Sequence, residues 1–168
     1  MNNPKVEIIM GSSSDLEKMK KVEETLNQLG ISNRMSIFSA HRTPAELSDF
    51  IKHNVNVITC EAVIAGAGMS AALAGAIAAE TLKPVIGIPL SGGKFKGIEA
   101  LLSTLEMPPG NPVLVVGVDA TKNAALAAAR ILALHDSEVY KNLALLKSKD
   151  RDKVLADNAT LQASNTTE

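Results

Sequence analysis

The sequence predicts an α/β domain: a five-stranded parallel sheet covered by helices, with an extended helical arm at the C-terminal end. Three observations predict it. Short β-branched runs alternate with longer alanine- and leucine-rich stretches whose apolar residues recur at helical spacing. Most of these runs are apolar instead of alternating, which is the pattern of strands buried on both faces of a parallel sheet. Aromatic residues make up only 2% of a chain that is 46% hydrophobic. The core must therefore be built from closely packed Ala, Val, Ile and Leu, as suits helices lying against a sheet.

Taken in order, residues 6–10 (VEIIM) read as the first strand. Residues 15–29 follow as a helix, with Leu16, Met19, Val22, Leu26 and Leu29 on one face and Gly30 closing it. Residues 34–38 form the second strand, and a helix starts near Pro44, where proline suits the first turn. The third strand, AVIAG at 62–66, runs into Gly68 and an alanine-rich helix up to Thr81. PVIGIP at 84–89 is the fourth, followed by a helix near 97–105 and the stiff turn MPPGNP at 107–112. VLVVGV at 113–118 is the fifth.

Beyond it lies more helix than five strands need for covering. Asp136 is placed to cap a new helix after a break near His135, and Val139, Leu143 and Leu146 need an apolar partner. We read an arm from about residue 136 that packs on a neighbouring subunit; an antiparallel hairpin on its own domain is the alternative. Residues 1–156 then form a single domain, and the polar tail 157–168 is expected to be disordered.

Composition excludes several function classes. Lys plus Arg number 17 against 18 Asp plus Glu, so no field of one sign draws the chain to nucleic acid or to an anionic membrane. The single Cys60 rules out an internal disulfide framework and a multi-cysteine zinc site, fits a reducing cytoplasm, and reads as a small buried hydrophobe. The N-terminal residues lack the apolar stretch of a signal peptide, and no run reaches the roughly 18–20 apolar residues of a membrane span. A cytoplasmic protein is expected.

In an open parallel sheet, ligands bind where the carboxyl ends of the strands meet helix N-termini. After the first strand stands GSSSD, residues 11–15: a glycine, three hydroxyls and a carboxylate at a helix start. Backbone N–H groups there favour an anion, and Asp15 suits sugar hydroxyls; the competing reading is that Ser14 or Asp15 simply caps the helix. After the second strand stands SAHRTP, residues 39–44. An arginine can hold a phosphate with two parallel hydrogen bonds, and imidazole is the side chain suited to proton transfer near neutral pH. After the third stands AGAGMSAALAGA, nearly free of side chains, against which a flat ligand can lie; close helix packing is the competing reading. Its glycines do not complete a dinucleotide-binding fingerprint, and SGGKFKG at 91–97 lacks Walker spacing. His53 and His135 show no metal-ligand spacing.

MGSSSD at 10–15, SAHRTP at 39–44, AGAG at 65–68, MPPGNPV at 107–113 and NAALAAARIL at 123–132, in this order, resemble the PurE family of purine biosynthesis over residues 5–150. The resemblance implies a flavodoxin-like three-layer sandwich and a homo-octamer with sites at subunit contacts. It also implies formation of 4-carboxy-5-aminoimidazole ribonucleotide from a phosphoribosyl aminoimidazole substrate and CO2 without metal or organic cofactor. By the same resemblance Ser12, Ser14, Asp15, Ser39, Ala40 and Arg42 bind substrate. Ser14, Ser39 and Arg42 hold its phosphate, Asp15 its ribose, and His41 moves the proton. Ala67, Gly68, Met69 and Ser70 fall where the family's backbone lies along the aminoimidazole.

One departure stands out. The mutase branch, which rearranges N5-carboxyaminoimidazole ribonucleotide, usually reads GGAAHLPG where this chain reads GMSAALAG, so Ala72 replaces a histidine and Ala74 a proline. The animal-type carboxylases, which take free CO2 and aminoimidazole ribonucleotide, also lack that histidine and carry a serine near Ser70. They commonly have lysine in place of Arg42 and asparagine in place of Ala71. Matches through IAAETLKPVIGIP and ILALHD tilt the chain toward the mutase. A non-catalytic nucleotide- or flavin-binding module is the reading from a different class, since fold does not fix function; the scarcity of aromatics speaks against flavin.

Overall fold

Residues Val6–Met10 form β1, and all five side chains are buried because the strand lies inside the sheet with a layer of helices on each face. The computed structural model describes residues 4–57 and 59–165. β1 is followed by α1 (Leu16–Gln28), β2 (Asn33–Ile37), α2 (Pro44–Phe50), β3 (Ala62–Gly68), α3 (Leu73–Ala78), β4 (Val85–Leu90), α4 (Ile98–Leu105), β5 (Leu114–Val115), α5 (Thr121–Leu132) and α6 (Ser137–Asn165). A single 3-10 turn, Ser13–Asp15, leads into α1, and a π turn, Ile51–Val55, extends α2.

The sheet is parallel with strand order β2-β1-β3-β4-β5, the flavodoxin-like arrangement. Strand periodicity sorts the core into two layers. Ile8, Ile64 and Ile86 pack with Met19, Val22 and Leu26 of α1 and with Ala124, Ala125, Ala128 and Ala129 of α5. Ile9, Val63 and Ala65 pack on the other face with Leu47, Ile51, Leu73 and Ile77. The four alanines are fully buried, so α5 sits close against the sheet, and the alanine-rich texture serves packing there. Cys60 is buried as well, and burial pushes its thiol up to about 11.

Three features differ most from the sequence reading, and α3 also ends at Ala78, short of Thr81. The fifth strand shortens to two residues: Pro108, Pro109 and Pro112 precede it, and proline has no N–H to give a ladder. Val116 N–H still donates to the Gly87 carbonyl at 3.2 Å and Asp119 N–H to the Pro89 carbonyl at 2.9 Å.

The start of the arm also folds differently. Val139 is buried and Leu143 and Leu146 pack against the chain's own core, so α5 and α6 form the antiparallel hairpin. The reversal is pinned locally. Asp136 Oδ1 accepts the Glu138 and Val139 N–H groups, Lys5 bridges to Asp136 at 2.6 Å, and His135 bonds Glu61. Only from Lys147 onward is every described side chain exposed.

The expected fraying over 157–165 is not observed. α6 runs unbroken to Asn165, since no Gly or Pro interrupts it after Ser137 and Ala, Leu and Lys favour helix. Residues 166–168 lie outside the described residues.

Glu7 is the polar exception inside β1, with no exposed surface. Arg34 of β2 meets it with a fork, Nη2 donating to Oε1 at 2.5 Å and Nε to Oε2 at 3.2 Å, and Nη2 also donates to Asn54 Oδ1 at 2.8 Å. The guanidinium lies 5.2 Å from the Phe50 ring centroid. Burial pushes the Glu7 carboxyl above its ordinary 4.5, and the Arg34 bonds oppose that push. Removing the fork by Arg34→Ala should cost about 3 kcal/mol, the low end for a broken buried pair because solvent partly screens the arginine. A carboxyl with a raised folded pKa favours the fold below its ordinary value and loses that contribution as pH rises through the folded pKa. The deficit of Arg34→Ala should therefore widen from pH 4.5 to pH 8, measured by urea denaturation against the parent chain.

Candidate functional site

The register fixes where the site must lie. Met10 stands level with Ile37 and with Gly66, so the loops leaving β1, β2 and β3 emerge side by side. They enclose a cleft of about 510 Å³ lined by Ser12, Ser14, Asp15, Ser39, Ala40, His41, Arg42, Ala67, Gly68, Met69 and Ser70, together with Gly11, Ala72, Leu73 and Gly92. All eleven residues singled out from the sequence meet there. The MPPGNP turn does not. Gly110, Asn111 and Pro112 line a separate cavity with Asn56, Thr81 and Lys83.

In the first loop, Gly11 N–H donates to the Gly66 carbonyl at 3.1 Å and prolongs the β1 ladder. Ser12 is extended and caps the 3-10 turn: its Oγ accepts the Ser14 N–H at 3.3 Å and the Ser14 hydroxyl at 2.9 Å. Asp15 makes no side-chain capping bond, so the capping alternative falls on Ser12, and the Asp15 carboxylate is left for the cleft. Burial pushes the Asp15 carboxyl up, opposed by the charge of Lys18 and a bond from the Ser12 backbone.

The second loop is held by a residue that sequence reasoning passed over. Thr43 Oγ1 accepts the Ser39 N–H at 2.9 Å and donates to the Ser39 carbonyl at 3.2 Å. A threonine just before a helix-starting proline was the available signal, though its hydroxyl turns back to the loop instead of capping α2. Arg42 Nε donates to Ser39 Oγ at 3.4 Å, and its Nη2 reaches across to the Gly11 carbonyl at 3.4 Å. One guanidinium thus spans both loops. His41 and Arg42 are exposed on the cleft.

The third loop forms the floor. A Cβ on Gly68 would come within 3.0 Å of the Leu90 carbonyl oxygen, so even alanine here would have to shift the β4 backbone. Met69 follows in the left-handed region at φ 55°, a conformation that costs a non-glycine residue about 1–2 kcal/mol. Ala71 N–H donates to Ser103 Oγ of α4 at 3.1 Å.

A polar cluster at the end of β4 was also missed, because its members lie far apart in sequence and carry no motif. Lys18 Nζ donates to Asp119 Oδ1 at 2.8 Å, to Ser91 Oγ at 2.6 Å and to the Ser91 carbonyl at 2.5 Å. Ser91 donates its N–H to Asp119 Oδ1 at 2.9 Å and its hydroxyl to Oδ2. The cluster ties α1 to the segment that supplies Gly92. Burial pushes the Asp119 carboxyl up, but hydrogen bonds from Lys18 and Ser91 outweigh it and hold the group below its ordinary 3.8.

A cationic fork, three serine hydroxyls and loop N–H groups can hold a phosphate; a carboxylate can bind hydroxyls; an imidazole stands beside a floor of small residues. Among the described residues, no group of three or more His, Cys, Asp or Glu side chains could hold a metal ion.

A family model described as AIR carboxylase matches residues 5–153. A Pyrococcus abyssi protein named N5-carboxyaminoimidazole ribonucleotide mutase is 44% identical over 140 residues, 83% of this chain and 80% of its own. The Escherichia coli protein of that name is 41% identical over 157 residues, covering 92% of each chain. The crystal structure of Treponema denticola PurE superposes with a TM-score of 0.86 at 32% identity, covering 93% of this chain and 97% of that one.

Because the folded pKa of Asp119 is lowered, its contribution to stability is present above pH 3.8 and is lost as pH falls through the folded value. Asp119→Asn should lower Tm at pH 7, and the difference from the parent should close as the pH drops below that range; Tm scans across pH check both.

Proposed function

The chain belongs to the AIR carboxylase family, and from that premise we propose that it converts N5-carboxyaminoimidazole ribonucleotide to 4-carboxy-5-aminoimidazole ribonucleotide in purine biosynthesis. The observation that carries the reading is the convergence of Arg42, Asp15 and His41 on one cleft floored by the Ala67–Ser70 loop. Relatives named as the mutase, matching nine-tenths of both chains, favour this reaction over direct carboxylation of aminoimidazole ribonucleotide.

Arg42 with Ser14 and Ser39 holds the phosphate, and Asp15 the ribose hydroxyls. Ser12 shapes the first loop, and Ala40 seats His41. The N5–carboxylate bond breaks and releases CO2 into the cleft. Its electrons return to the ring, and C4 attacks the CO2 to form a C–C bond. C4, now tetrahedral, carries one hydrogen too many. His41 takes that proton, worth about 10²–10⁴-fold in rate, while the amine nitrogen gains one, so no proton is consumed overall. Ala67, Gly68, Met69 and Ser70 line the ring and the carboxylate, and the small walls limit escape of CO2.

The reaction needs neither metal nor organic cofactor. We place the enzyme in the cytoplasm as a homo-octamer. Support for assembly comes from α4, where Ile98, Leu102 and Leu105 are each more than half exposed in a row beside Leu114 of the edge strand, a patch that calls for a partner. No described helix is long and apolar enough to cross a membrane.

His41→Asn should abolish turnover while nucleotide binding, measured by calorimetry, stays within about tenfold; a variant with near-parental kcat removes His41 from the chemistry. Arg42→Ala should instead weaken substrate binding by about 2–4 kcal/mol if it holds a desolvated phosphate, seen as a raised KM. Ala72 lines the cleft where the mutase pattern has histidine. In a side-by-side assay with dissolved CO2 controlled, the carbamate should be the better substrate by a clear margin. Preference for aminoimidazole ribonucleotide plus CO2 would reverse the choice of reaction.

A further inference from the structure

The turn that joins β3 to α3 carries part of the cleft floor in a conformation that the chain does not adopt freely. Met69, in the left-handed region at φ 55°, is followed by a tight reversal in which Ala72 N–H donates to the Ser70 carbonyl at 2.8 Å. Met69, Ser70 and Ala72 all line the cleft. Between them, Ala71 points the other way: its side chain is buried and its N–H donates to Ser103 Oγ at 3.1 Å. Ser103 stands on α4, 32 positions along the chain, and does not line the cleft.

The hydroxyl is itself oriented. Ser103 Oγ donates its one proton back along α4, to the Glu99 carbonyl at 2.7 Å and more weakly to the Ala100 carbonyl at 3.3 Å. That leaves a lone pair turned outward to receive the Ala71 N–H. Left-handed backbone at a non-glycine residue persists where its surroundings over-determine it. Here a bond from a rigid helix supplies that constraint. We infer that Ser103 is a positioning residue: it locks the Met69–Ala72 turn in the shape that the reacting ring and carboxylate require. The assignment rests on the proposed reaction, but the clamp itself can be read without substrate.

Hydrogen exchange of the ligand-free protein is the first measurement. The Ala71 amide should exchange far more slowly than those of Met69 and Ser70; an Ala71 amide exchanging as fast as its neighbours overturns the clamp. Ser103→Ala should release that protection and lower kcat about tenfold or more through misplacement of the floor, with KM within about twofold and far-UV circular dichroism unchanged. Ser103→Thr, which keeps a hydroxyl able to bond back along its helix, should restore both protection and kcat. Parental kcat in a folded Ser103→Ala overturns the positioning role, as does a loss of kcat that Ser103→Thr fails to recover. If the parent itself does not turn over the carbamate, the proposed reaction fails while the exchange result still decides the clamp.

Discussion

β1 shares hydrogen bonds with β2 on one side and with β3 on the other, and the three strands end level because Met10, Ile37 and Gly66 are in register. From that alignment the chain has no choice but to open a crevice. The connection through α1 carries it to one side of β1 and the connection through α2 carries it to the other, so the loops after β1 and β3 part above the sheet. Gly11 extends the ladder by one bond into the crevice, and the first polar side chains appear immediately beyond it. A one-residue slip of β1 would exchange its two faces and move Ser12 away from Ser39 and Ala67 at the same time.

How well this was legible in the sequence depended on how local each feature is. The loops GSSSD and SAHRTP each lie within one turn of a strand end, and a parallel sheet gathers all such ends on one edge. Reading the strands was enough to bring His41, Arg42 and Asp15 together. Thr43 was harder, since its bond to Ser39 depends on the loop closing as it does. The Lys18, Ser91 and Asp119 cluster was not legible at all: its residues are separated by up to 101 positions, and each alone reads as surface. The same holds for Arg34, whose partner Glu7 is a single charge in an otherwise apolar strand yet is fully enclosed. Val139, Leu143 and Leu146 announced that they need an apolar partner, but periodicity cannot say whose; the ties from Asp136, Lys5 and His135 decided for the chain's own core.

The near-balance of charge also takes on a local meaning. Exposed Arg42 bridges two loops through a hydroxyl and a carbonyl oxygen, and among the described residues no carboxylate pairs with it. Lys18, by contrast, is fully engaged by Asp119 and Ser91. One cation is thus tied into the architecture, while the other stays open to the cleft. A lysine in place of Arg42 would lack the fork that reaches Ser39 and Gly11 together.

The buried thiol has a practical corollary. With burial pushing its thiol up to about 11 and no exposed surface, Cys60 stays protonated at neutral pH and is shielded from reagents by the native fold. Maleimides and cellular peroxides alike should pass the native chain by. A cysteine introduced on the exposed outer stretch of α6 would therefore be the sole reactive thiol, giving fluorescence and spin-label work a single address on a chain that needs no cysteine removed first.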